Sequence, residues 1–196
     1  MANFFKRNQA AVSPAALLNS RYNSARMDLL LVVVLTLVNF FMLFFGDGTY
    51  FLFSAAVPYS LAVNAMYLCG KFPPEFYEGD MMLSSFLDDT VFTVMIAIAV
   101  VILAVYLLCF FMSSKHRVGW LIAALALFVV DTAAMLWIYG IAPDMMIDLV
   151  IHVIVIVYLA LGVHAAFKLK SLEAEPTPEP QPTPDDDVSH FFENNG

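Results

Sequence analysis

VFTVMIAIAVVILAVYLLCFFM, residues 91–112, is an unbroken apolar run without a charged side chain. The hydrocarbon core of a bilayer is about 30 Å thick, and a helix crosses it with roughly 20 apolar residues. In lipid each backbone amide needs a partner within its own helix, so such a run predicts a transmembrane helix. Residues 27–45, 119–139 and 149–169 meet the same criterion. The sequence therefore predicts four membrane spans.

The overall composition also indicates a membrane protein. Hydrophobic residues make up 61% of the 196 residues and charged residues 13%, against roughly 25% charged in soluble domains. The net charge of −8 comes mainly from the C-terminal tail, since seven of the seventeen acidic residues follow Ser171, where no Lys or Arg occurs. This distribution provides no basic surface, and we expect no nucleic-acid partner.

Residues 50–69 form a fifth hydrophobic segment that is long enough to cross but contains Ser54, Pro58, Ser60 and Asn64. It is either a fifth span with a proline kink or a re-entrant helix in the outer leaflet. Lys and Arg near span ends stay in the cytoplasm. If the segment crosses, the basic residues divide five against four; if it does not, they divide eight against one, with only Lys71 outside. The eight are Lys6, Arg7, Arg21, Arg26, Lys115, Arg117, Lys168 and Lys170.

Charge therefore favours four crossings with both termini in the cytoplasm. The transmembrane domain is predicted over residues 27–170, between two flanking segments. Residues 1–26 are basic, and Ser13 and Pro14 predict a helix start, either of an interfacial helix or within a plain juxtamembrane stretch. Residues 171–196 include EAEPTPEPQPTPDDD, a proline-rich and acidic run that we predict to be disordered.

Polar side chains inside the spans are the candidates for function, because an ionisable group in a membrane helix costs several kcal/mol. Asp131 is the principal one, about 12 Å from the end of its span at Tyr139. With four crossings Asn39, Asp131 and His152 all fall in the outer half of the membrane, and we predict that they cluster. With five crossings Asn39 lies in the other half and the cluster is impossible.

Asp144, Asp148 and His152 are spaced four residues apart, which places them along one stripe of a helix. A carboxylate near His152 favours the imidazolium and indicates an access route for protons or cations, although we expect both acids in water or at the interface. Ser60 and Asn64 share a face of the 50–69 helix and are secondary candidates for a bond to a neighbouring helix.

The competing interpretation of these polar residues is structural. Asp131 would then hydrogen-bond His152 or Asn39 and hold the helices together. No HExxH, GxSxG, Walker A or CxxC motif occurs, and Cys69 and Cys109 lie in separate apolar segments. We therefore expect no enzyme, no metal site and no cofactor.

Three stretches carry a resemblance: TYFLFSAAVPYSL (49–61), KHRVGW (115–120) and HVIVIVYLALGVHAAFKLK (152–170). They resemble parts of small bacterial polytopic membrane proteins of unknown function, over residues 28–170. The resemblance implies a bacterial cytoplasmic membrane and no particular chemistry.

The function that we expect is that of an accessory or interaction protein, built as an all-α integral membrane bundle. Its expected partners are the lipid bilayer and either other membrane proteins or a soluble protein at the C-terminal tail. The alternative is a small transporter, channel or proton-linked sensor that uses Asp131 and His152.

Overall fold

The structure, a computed structural model, describes residues 13–46, 50–78, 85–114 and 117–174, without the side chain of Asp144. All regular secondary structure in these ranges is helical, which confirms the predicted all-α class. Four of the helices are long and apolar enough to cross a membrane, namely Pro14–Phe44, Asp89–Met112, Val118–Tyr139 and Met146–Ala174. The helices are α1 Pro14–Phe44, α2 Ala56–Leu68, α3 Asp89–Met112, α4 Val118–Tyr139 and α5 Met146–Ala174, with 3₁₀ turns at Pro74–Tyr77 and Pro143–Met145.

The first helix begins well before the predicted span. Ser13 caps it by accepting a hydrogen bond from the Ala16 amide at 3.2 Å, and Pro14 occupies the first turn. No break follows, so α1 runs for 31 residues, about 46 Å. Residues 14–26 of the segment predicted over 1–26 are thus helical and continuous with the first span, and this helix begins at the start predicted from Ser13 and Pro14. Residues 1–12 lie outside the described ranges. Likewise α5 continues to Ala174 into the predicted tail, of which 175–196 lie outside them.

The second hydrophobic segment is not one helix over 50–69. Residues 50–55 have no regular structure, and α2 has 13 residues, about 20 Å, which is less than the bilayer core. Pro58 lies in the first turn of α2, where its missing amide would have had no partner within the helix. The proline is therefore accommodated within the first turn of a single helix.

Helices α1 and α3 run antiparallel. Near the start of α1, the Arg26 Nε donates to the Ser113 hydroxyl at 3.0 Å, and the Tyr22 hydroxyl donates to the Ser113 carbonyl, at the end of α3. At the other end Phe40 of α1 packs in one cluster with Ala99 of α3. The chain between these two helices, including α2, thus leaves and returns at the same end of the bundle.

The two ends of the bundle differ in charge. Arg117 and Lys170 line one shared cavity, and Arg21 and Lys168 line another, so the start of α4 and the start of α1 both meet the end of α5. Lys71 lies at the opposite end, where its Nζ is 2.6 Å from the Asp89 carboxylate, whose hydrogen bond raises the pKa of Lys71. Five of the six described Lys and Arg residues thus share one end, which we call the basic end: Arg21, Arg26, Arg117, Lys168 and Lys170.

Helices α1 and α5 approach closely at Gly162. A Cβ atom added there would lie 2.2 Å from the Cβ of Ala25, a distance at which real atoms overlap. Small residues let membrane helices bring their backbones together in this way. This crossing fixes α5, and with it His152, against the rest of the bundle.

Candidate functional site

Side chains of α1 hold the irregular segment that leads into α2. The Asn39 Oδ1 accepts from the Phe51 amide at 2.8 Å, while its Nδ2 donates to the Phe51 carbonyl at 2.9 Å and the Ser54 hydroxyl at 3.0 Å. The Thr36 hydroxyl accepts from the Ala55 amide at 2.9 Å. Both Thr36 and Asn39 are buried, so these bonds are made away from water.

Asp131 of α4 caps the start of α2. Its Oδ2 accepts from the Ala56 amide and its Oδ1 from the Val57 amide, both at 2.9 Å. The helix has no side-chain cap of its own, since Ala55 occupies the N-cap position. A carboxylate satisfies the free amides there and faces the positive end of the helix dipole. Thr36, Asn39 and Asp131 together are called the polar latch below.

The polar latch explains how an irregular backbone is tolerated between membrane helices. An amide without a partner in hydrocarbon costs several kcal/mol, and non-helical backbone is found at membrane depth only where protein or water covers it. The side chains of the polar latch accept hydrogen bonds from four backbone amides. One is the Phe51 amide in the irregular segment, and the other three are the consecutive amides of Ala55, Ala56 and Val57 at the start of α2.

His152 stands beside the Asp131 carboxylate. Its Nε2 lies 3.6 Å from the Asp131 Oδ2, which is too long for a hydrogen bond but within the range of an ion pair. Its Nδ1 lies 2.9 Å from the Asp148 carbonyl, an acceptor only, so we assign a proton to Nδ1. An unprotonated Nε2 would turn its lone pair toward the carboxylate. Nε2 itself has no hydrogen-bond partner among the described residues.

The predicted cluster of Asn39, Asp131 and His152 forms in part. Asp131 and His152 are neighbours, and both are almost fully buried. Asn39 instead bonds Phe51 and Ser54, so the irregular segment lies between it and the other two. Of the two predicted partners of Asp131, the neighbour is therefore His152 and not Asn39, whose side-chain amide bonds Phe51 and Ser54.

The secondary candidates are used in different ways. Asp148 is buried within the bundle, with 7% exposure, so the expectation that it lies in water is wrong. Its Oδ1 accepts no hydrogen bond within the described part of the chain. Ser60 does reach a neighbouring helix, at 2.7 Å from the Tyr139 hydroxyl, whereas Asn64 donates to the Ser60 carbonyl of its own helix. The Asp144 side chain lies outside the described structure.

A cavity of about 230 Å³ lies between α2, α4 and the start of α5. Three tyrosines line this cavity, and we therefore call it the tyrosine cavity. The charged side chain in the lining is Asp148. The lining residues are Tyr50, Ala56, Tyr59, Ser60, Met135, Tyr139, Met145 and Asp148.

Sequence reasoning missed several of these residues. Thr36 lies three residues before Asn39, a spacing that places both on one face of α1, and this was the available signal. Tyr106 is fully buried in α3, and its hydroxyl has no hydrogen-bond partner among the described residues. Tyr50 and Tyr59 resemble ordinary interfacial aromatics in the sequence, and no pattern distinguishes them as cavity residues.

The described residues contain no group of three or more His, Cys, Asp or Glu side chains arranged to hold a metal ion. Cys69 and Cys109 are buried free thiols. Comparisons with protein-family models, with curated proteins and with solved structures find no match to this chain.

Proposed function

We propose that the chain is a membrane accessory or interaction protein of the bacterial cytoplasmic membrane, without enzymatic activity, that presents a re-entrant helix on a four-span bundle. The observation that carries this proposal is the use of Asp131. Both of its oxygens accept amides of α2, and a carboxylate engaged in this way serves the architecture. The intramembrane acid thus has a structural role that needs no transported species.

The proposed orientation places both termini in the cytoplasm. It is supported by the basic end, which collects five of the six described Lys and Arg residues and coincides with the start of α1 and the end of α5. The positive-inside rule assigns such an end to the cytoplasm. The polar latch and α2 then belong to the outer half of the membrane.

The proposed partners are the lipid bilayer and, beyond it, other membrane proteins or a soluble protein at the C-terminal tail. Large apolar side chains remain exposed along the spans, among them Val101 at 62%, Val130 at 63% and Ile147 at 62%. A surface of this kind is suited to lipid or to another membrane helix. The tail itself lies outside the described residues.

A second candidate function, a small transporter, channel or proton-linked sensor, is favoured by one observation. The Asp131 Oδ2 and the His152 Nε2 lie 3.6 Å apart, and both side chains are buried. Proton relays in membrane proteins use Asp and His in such pairs.

Paired substitutions in purified protein separate the two functions. Asp131→Asn and His152→Gln are compared with wild type for thermal stability in detergent and for proton flux into liposomes across a pH gradient. The accessory function predicts a lower Tm in Asp131→Asn and no wild-type flux above that of empty liposomes. Wild-type flux that both variants lose while keeping the wild-type Tm would establish the transporter function instead.

A further inference from the structure

The tyrosine cavity is lined by a buried carboxylate, that of Asp148, which is not part of the polar latch. Asp148 lines it with a side chain that is 7% exposed, and its Oδ1 has no hydrogen-bond partner within the described ranges. Buried carboxylate oxygens are normally paired, since an unpaired one gives up its hydration without compensation. A cation in the cavity would supply the missing partner.

The walls of the cavity also suit a cation. The rings of Tyr50 and Tyr59 lie with their centroids 4.8 Å apart, and Tyr139 of α4 joins the same lining. Aromatic faces carry a negative quadrupole that attracts ammonium groups, and several rings around one ammonium form an aromatic cage. No Lys or Arg is among the lining residues to repel such a ligand.

The same lining favours an organic cation over a metal ion. Hard metal cations take six or more oxygen ligands, whereas the charged ligand among the described lining residues is the single Asp148 carboxylate. Met135 and Met145 add apolar surface that a hydrated ion would not use. The volume of about 230 Å³ lies below the roughly 300–1,000 Å³ of pockets for drug-sized ligands. The occupant should therefore be small.

We propose that the tyrosine cavity binds a small alkylammonium compound, with its charge beside Asp148 and its methyl groups against the tyrosine rings. This site is independent of the accessory function, since it uses none of the polar latch side chains. Ser60 and Tyr139 bond each other at 2.7 Å and fix the wall that α2 and α4 provide.

Calorimetric titration of the full chain in a neutral detergent tests the site. The probes are tetramethylammonium and choline, and the control is 3,3-dimethyl-1-butanol, which has the shape of choline without the charge. We expect saturable binding of both ammonium probes and none of the alcohol. Equal binding of the alcohol, or no saturable binding of either ammonium compound, would overturn the proposal.

Variants assign the binding to the cavity. Asp148→Asn should weaken choline binding at least tenfold, because it removes the charge partner and keeps the shape. Tyr59→Phe should bind within twofold of wild type, whereas Tyr59→Leu should bind roughly fivefold more weakly, because only the ring attracts the cation. Tyr158→Leu on α5, whose ring is 51% exposed beside Ser20 and Arg21, is the control and should not change the affinity.

Wild-type affinity in Asp148→Asn, or equal affinities in Tyr59→Phe and Tyr59→Leu, would contradict the proposal. The Tyr59 pair decides the question alone if Asp148→Asn does not fold.

The ammonium group is carried either by a free solute or by a choline lipid headgroup. To separate these two sources, choline binding is compared in nanodiscs of phosphatidylglycerol alone and in nanodiscs that also contain phosphatidylcholine. Weaker binding with phosphatidylcholine present assigns the site to the lipid headgroup, and unchanged binding assigns it to a free solute. Absence of binding in both kinds of nanodisc overturns it.

Discussion

Asp131 and Asp148 are both buried acids at the end of the bundle opposite the basic end, yet their carboxylates have opposite surroundings. Both oxygens of Asp131 accept amides of α2, and its neighbour His152 lies 3.6 Å away. Asp148 leaves its Oδ1 without a hydrogen-bond partner in the described structure and lines the tyrosine cavity. Burial alone therefore does not identify a functional acid in a membrane protein. The partners of its oxygens distinguish an acid that holds the fold from one that is free to bind a ligand.

The largest expected effect comes from Asp131→Asn. The asparagine side chain can accept a hydrogen bond from only one of the two α2 amides, and its NH₂ group faces the other amide. The substitution also removes the negative charge beside His152. Breaking a buried pair of this kind costs about 3–5 kcal/mol in the free energy of unfolding. Equilibrium unfolding in mixed micelles measures it. Asp28→Asn, the same change on α1 away from α2, is the control and should leave stability near that of wild type.

Gly162→Ala is expected to have the next largest effect and tests whether close backbone packing matters as much as the polar latch. The new methyl group meets Ala25 at 2.2 Å, so α1 and α5 must separate, at a cost of about 3 kcal/mol. Adding Ala25→Gly should restore most of the stability. Gly119→Ala, at a helical glycine with nothing within 4 Å of the added atom, should have little effect. An equal loss in both glycine variants would contradict the packing account.

Thr36→Val tests the part of the polar latch that lies on α1. Valine keeps the shape but offers no acceptor to the Ala55 amide, and an unpaired buried amide costs about 1–2 kcal/mol. Thr93→Val is the matched control, since Thr93 bonds the carbonyl four residues earlier as Thr36 does but is exposed. The same unfolding assay should show a loss for Thr36→Val alone.

Asp148→Asn is expected to have the smallest effect and tests whether the two buried acids differ in their role. The Asp148 Oδ1 makes no hydrogen bond within the described residues, so neutralising the carboxylate should leave stability within about 0.5 kcal/mol of wild type or raise it. A loss as large as that of Asp131→Asn, measured side by side, would show that Asp148 also holds the fold.

The sequence predicts the long helices because their formation depends on local apolar length. It predicts neither the course of residues 50–55 nor the start of α2, because the cap of that helix is Asp131, 75 positions from Ala56. The proximity of Asp131 and His152 can be predicted, because counting residues from the end of each span places both side chains at similar depth in the membrane. The burial of Asp148 does not, because it depends on how the start of α5 packs against α2 and α4, which no local pattern encodes.

In the proposed topology, residues 50–69 enter and leave the membrane on the same side, held there by the polar latch. An even number of crossings places both chain ends on one side, and an odd number places them on opposite sides. The direct measurement fuses, in separate full-length chains, a reporter active only in the cytoplasm before Met1 and after Gly196. With four crossings, both fusions should be active. Activity from the N-terminal fusion alone would contradict it and establish a fifth crossing.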